Sequence, residues 1–107
     1  MIRAASLVLG ILLLATGCMG GDVNDEDRER AIAEAQRVYA EKQAEGLDFS
    51  NGPCIAEEVI DDWAADVAHD PRQDVDDQPE NQCQSYREGD THHFVELDPD
   101  GNLIRAK

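Results

Sequence analysis

Positive charge is what this chain has least of. Lysine occurs twice, at Lys42 and Lys107, and lysine and arginine together supply 9 of 107 residues against 24 aspartates and glutamates, a formal charge of −15 at pH 7. So acidic a surface repels nucleic acid and anionic lipid headgroups and favours cations or cationic partners. Reactive motifs are missing too. There is no Gly-x-Ser-x-Gly, no His-Glu-x-x-His and no glycine-rich phosphate loop, so no nucleophile, catalytic metal or nucleotide cofactor is announced. Paired carboxylates such as Asp61 and Asp62, or Asp76 and Asp77, are neighbours in sequence, and proximity alone does not make an acid catalyst. The composition points to a non-catalytic binding or structural module with no cofactor.

A membrane-spanning run is also absent. Residues 4–15 carry no charge, but they make only about 18 Å of helix at 1.5 Å per residue, against a hydrocarbon core of about 30 Å. A basic Arg3, an apolar core from Leu7 to Leu14 and an exit of small residues are instead the three parts of a secretory signal. The exit itself, Leu14, Ala15, Thr16, Gly17 and Cys18, resembles the lipobox of prokaryotic lipoproteins. That resemblance implies cleavage before Cys18, a diacylglycerol on its thiol and an acylated amino group. Ala15 departs from the leucine most often found there. Two or three acyl chains anchor stably where one gives marginal binding, so the expected partner is a lipid bilayer. Met19 in place of aspartate implies the outer membrane in a host with two membranes, and otherwise the external face of the cell membrane. Residues 1–17 are then a cleaved signal, 18–23 a lipidated tether and 24–107 one small domain.

Cysteine counting follows from that processing. With Cys18 acylated, Cys54 and Cys83 form an even pair in an oxidising compartment and are expected to be disulfide-bonded. Closing a loop of that length stabilises a fold by about 3.5 kcal/mol in the chain-entropy model, a useful staple for a domain with one modest core. Thiol ligation of a metal is the competing reading. Removal of residues 1–17 takes away only Arg3 and leaves a formal charge of −16. The excess of aspartate and the scarcity of lysine resemble salt-adapted proteins.

The domain reads as α+β. Asn24 is a suitable N-cap, with Asp25, Glu26 and Asp27 at the positive helix end. Ile32, Ala35, Val38 and Tyr39 form one stripe, Glu26 and Arg30 are spaced to pair, and Gly46 closes the helix. At the other end, Asp98, Pro99, Asp100 and Gly101 predict a hairpin with a G1 bulge, pairing Leu97 with Leu103 and Glu96 with Ile104. Val95, Leu97 and Leu103 would share one face, and Phe94, Ile104 and Ala106 the other. The stretch is not an EF-hand, because its glycine is fourth rather than sixth and no glutamate stands at twelve. A hairpin alone is marginal in water. Trp63, Ala65 and Val67 alternate with Ala64, Asp66 and Ala68 and supply a third strand, although Ile55, Val59, Trp63 and Val67 also fit a helical period. The need for a sheet partner favours strand there and leaves a helical reading for CIAEEV before it. The expected architecture is one long amphipathic helix on a small antiparallel sheet of about three strands, with a disulfide-tied polar loop.

The C-terminal half is where activity is expected. Its strings DVAHDPRQ, DDQPENQC, YREG and HHFVELDPDGNLIR resemble those of short exported proteins with no assigned reaction. Two candidate sites follow from the residues. His69 with one of His92 and His93 and a carboxylate offers a metal site; adjacent strand residues face opposite ways, so the pair cannot both join His69. Asp74, Asp76, Asp77 and Glu80, with Asp70 nearby, offer an acidic loop to a cationic protein or cation, in the manner of envelope inhibitors of lysozyme or immunity lipoproteins.

Overall fold

A computed structural model describes residues 24–107, so the expected signal, the expected tether and Cys18 lie outside the described residues. Helix α1 spans Asp25–Ala44. The Asn24 side chain accepts from the backbone N–H groups of Glu26 at 2.8 Å and Asp27 at 3.1 Å. At the far end Gly46 takes φ +86° while Leu47 N–H donates to Lys42 O and Gly46 N–H to Gln43 O, a Schellman closure. The buried stripe is Ala31, Ala35 and Tyr39, with Ile32 and Val38 packed at its margins. Two alanines at the centre let the helix lie close on the sheet. Arg30 pairs with Asp27 at 3.0 Å rather than with Glu26.

The sheet has four strands in the order β1, β2, β3, β4: Cys54–Ile60, Trp63–Val67, His93–Leu97 and Leu103–Ala106. It is mixed. Strands β1 and β2 form a tight antiparallel hairpin, β3 and β4 a second, and β2 and β3 run parallel, with Trp63 beside His93 and Val67 beside Leu97. The expected three-strand antiparallel sheet is corrected in two respects. CIAEEV is strand β1, and residues 68–92 are the crossover that a parallel pair requires. That crossover is largely organised, holding 3-10 turns at Asp74–Asp77 and Pro79–Asn81 and the short helix α2, Gln84–Arg87. Cys54, at the head of β1, is disulfide-bonded to Cys83, which precedes α2, so the staple ties the crossover to the sheet edge.

The second hairpin keeps Leu97 opposite Leu103, but a register shift puts Glu96 opposite Arg105 and Val95 opposite Ala106. Ala106 therefore joins the Val95 face instead of the Phe94 face. Trp63, Ala65, Val67, Val95, Leu97 and Ala106 make one continuous core with α1. The alternate residues of the same strands, Ala64, Asp66, Phe94, Glu96 and Arg105, face the other way, beneath the crossover.

A candidate ligand cleft beneath the crossover

Parallel register places Asp66 of β2 directly beside Glu96 of β3, and antiparallel register places Glu96 beside Arg105 of β4. Strand alternation turns all three side chains toward the crossover, which contributes Arg72, Tyr86 and Arg87 to the opposite wall. Between them lies a cleft of about 570 Å³, within the range of small-molecule sites. Glu96 is 3 % exposed. Its Oε2 accepts from Arg72 Nη1 at 2.9 Å, and Arg72 Nε donates to Asp77 at 2.8 Å. Arg105 Nε stands 3.2 Å from Glu96 Oε1 in a pose that makes no hydrogen bond, so Oε1 is buried without a donor, as is Asp66 Oδ1. Burial, and then the neighbouring Glu96 charge, push the Asp66 carboxyl up to about 8, with Asp76 adding to the effect and Arg72 and Arg105 opposing it. At neutral pH the Asp66 carboxyl on the floor is thus protonated. Tyr86 and Phe94 meet edge to face at 5.1 Å on the cleft wall.

The histidines do not share a site. Parallel pairing sets His93 at the start of β2 while His69 lies past its end, six residues and about 20 Å of strand away. His92 and His93 both turn to Asp62: His92 Nδ1 is 2.7 Å from Oδ1 and His93 Nε2 is 3.7 Å from Oδ2. Hydrogen bonds from His92 hold that carboxyl below its ordinary range. His69 Nδ1 lies 3.0 Å from Asp76 Oδ1 instead. Among the described residues one trio brings three possible ligand atoms within 4.8 Å, Cys54, Glu57 and Cys83, and its two sulfurs are bonded to each other.

The acidic loop is not one exposed patch either. Asp76 is 2 % exposed. It accepts from the backbone N–H groups of His69 and Gln73, both at 2.9 Å. Burial raises its pKa, and these bonds, with the His69 ring, more than reverse that and hold it below the ordinary value. Gly52, at φ +66°, is what admits this carboxylate, since a Cβ there would overlap Asp76 Oδ1. Asp77 is taken by Arg72, while Asp70, Asp74 and Glu80 remain exposed. Sequence reasoning passed over Asp66 and Glu96. The available signal was an acidic residue set among apolar strand positions, in ADV and VEL, where a solvent-facing position beside a covered sheet must be explained.

No family model matches this chain, and comparison with curated proteins and with solved structures gives no significant similarity. Among the described residues no helix is long and apolar enough to cross a membrane.

Proposed function

We propose that the protein is a non-catalytic binding module of the cell envelope, tethered by acyl chains on Cys18, and that its ligand enters the cleft over Asp66 and Glu96. The tether rests on the lipobox-like exit at residues 14–18. A Cys54–Cys83 disulfide is the chemistry of an oxidising compartment and supports export. The binding role rests on one observation, two buried carboxyl oxygens without donors facing an open cleft. A buried acceptor without a partner costs about 1–3 kcal/mol, and a ligand that supplies donors recovers it.

Two measurements test the two halves. Mass spectrometry of the N-terminal peptide should show a lipid adduct on Cys18; an unmodified cysteine removes the tether. A small-molecule extract of the envelope should raise the unfolding temperature of the protein, and Arg87→Ala should lose that shift. Equal shifts in both would remove the cleft.

A second reading is acid–base catalysis, favoured by a carboxyl held protonated at neutral pH on the floor of a cleft. It is separated from binding by product formation from the extracted ligand, which Asp66→Asn would then abolish. Recognition of a cationic protein has its remaining support in the exposed Asp70, Asp74 and Glu80.

A further inference from the structure

Residues 24–107 contain eight lysines and arginines, of which Arg28, Arg30, Arg37 and Lys42 lie on α1. The other four, Arg72, Arg87, Arg105 and Lys107, all line the cleft. In so acidic a chain that is a concentration of positive charge at one place. Arg72 and Arg105 lie against Glu96 and Asp77. Arg87 and Lys107 meet no carboxylate within 4.0 Å among the described residues. The cleft therefore offers two unpaired cations and, on its floor, two carboxyl oxygens lacking donors.

Ligands of one sign suit half of this arrangement. A simple anion would answer Arg87 and Lys107 but leave Asp66 Oδ1 and Glu96 Oε1 unsatisfied. A metal ion would answer the carboxyls but bring no anion to Arg87 and Lys107. Both halves are answered by a molecule carrying an anion and a strong donor together. We propose that the cleft is a receptor site for an α-amino-acid-type zwitterion, its carboxylate received by Arg87 and Lys107 and its ammonium donating to Asp66 Oδ1 and Glu96 Oε1. An ammonium has three N–H donors and can serve both oxygens at once. Phe94 and Tyr86 provide apolar surface for the ligand's side chain.

A proton accompanies this binding. The groups facing Asp66 are Glu96 on β3, Arg72 and Asp76 on the crossover and Arg105 on β4; burial, Glu96 and Asp76 keep its carboxyl protonated at pH 7 against the opposing pull of the two guanidinium groups. An ammonium placed against it favours the ionised form, so the carboxyl proton leaves to the buffer as the ligand enters. Binding at pH 7 should release up to one proton per site.

The inference rests on the cleft being the binding site, and the test separates the two. Purified protein is titrated by calorimetry with the common α-amino acids and simple dipeptides, in two buffers of different ionisation enthalpy. At least one zwitterion should bind, with its N-acetyl and its amide derivatives each at least about tenfold weaker, and Arg87→Ala weaker by a similar factor. Tighter binding of a dipeptide than of either free amino acid would identify a peptide as the source of the group. Proton release should vanish in Asp66→Asn. Failure of every zwitterion at about 10 mM, a regime weaker than millimolar affinity, overturns the ligand class. If inorganic phosphate or a neutral sugar then binds and Arg87→Ala abolishes it, the cleft survives with another ligand. Binding of a zwitterion that neither Arg87→Ala nor Glu96→Gln alters would overturn both.

Discussion

The two faces of the sheet are built from the same strands and do opposite things. On the face toward α1, Val95 and Leu97 are fully buried within an apolar cluster that includes Ala31, Ala35 and Trp63. One residue along, on the face beneath the crossover, Asp66 and Glu96 carry buried oxygens without donors. The apolar face stabilises the fold; the charged face draws on that stability to keep polar groups out of water, which native cores rarely tolerate without a use. Period-two alternation is what lets four short strands hold both environments a single residue apart.

That contrast can be broken from either side. Leu97→Ala should have the largest effect, about 2–5 kcal/mol by urea denaturation, because the cavity lies where α1 meets the sheet. Replacing Cys54 or Cys83 with serine should lower stability by about 2–5 kcal/mol and loosen the crossover from the sheet, read as earlier proteolysis within residues 68–92.

The third effect is pH-dependent. The Asp66 pKa of about 8 is above its unfolded value, so between about pH 4 and 8 the native state holds a proton that the unfolded chain lacks. Stability from this group is therefore greatest at the acid end and falls as pH rises to 8. Asp62, Asp76 and Asp98 are depressed, and their contributions are lost in the opposite direction, as pH falls below about 4. Urea midpoints should decline from pH 5 to 8.5, and Asp66→Asn should flatten that decline without changing the acid limb.

Smaller effects belong to the turns and the rim. Gly101 lies at φ +92° with Tyr39 where its Cβ would go, and Gly101→Ala should cost about 1–3 kcal/mol by thermal denaturation. Arg87→Ala, at an exposed position without an ion pair, should move stability by no more than about 0.5 kcal/mol while weakening ligand binding. A large loss of stability there would mean the charged face holds the fold as well.

What the sequence disclosed was local. Asn24 and Gly46 mark the ends of α1 because capping is decided within a few residues, and the Asp98–Gly101 turn is likewise self-contained, its Asp98 carboxylate accepting from Asp100 and Asn102 N–H. Cys54 and Cys83 could be paired by counting. Strand β1 was obscured because register shifts on both sides of Ala56 interrupt its alternation and leave apolar residues at helical spacing. The parallel pairing is non-local, set by how residues 68–92 return to the start of β2, and no short-range signal specifies it. The cleft inherits that difficulty: Asp66 and Glu96 are thirty positions apart and become neighbours through that one register. The same parallel register sets His93 beside Trp63, at the opposite end of β2 from His69.

Arg28 Nε, in the second turn of α1, donates to Ala106 O at 3.0 Å, and the next residue, Lys107, lines the cleft. The start of the helix and the rim of the cleft are thereby fastened together at the β4 edge of the sheet. With Cys18 acylated as proposed, six peptide links separate the lipid from Asn24, a reach of about 20 Å at most when fully extended. A receptor on so short a leash samples the thin layer of solvent lying on the bilayer and little of the bulk. Its occupancy would then be set by the free ligand concentration within that layer, so that ligand released at the membrane would count for more than the same amount released far from it.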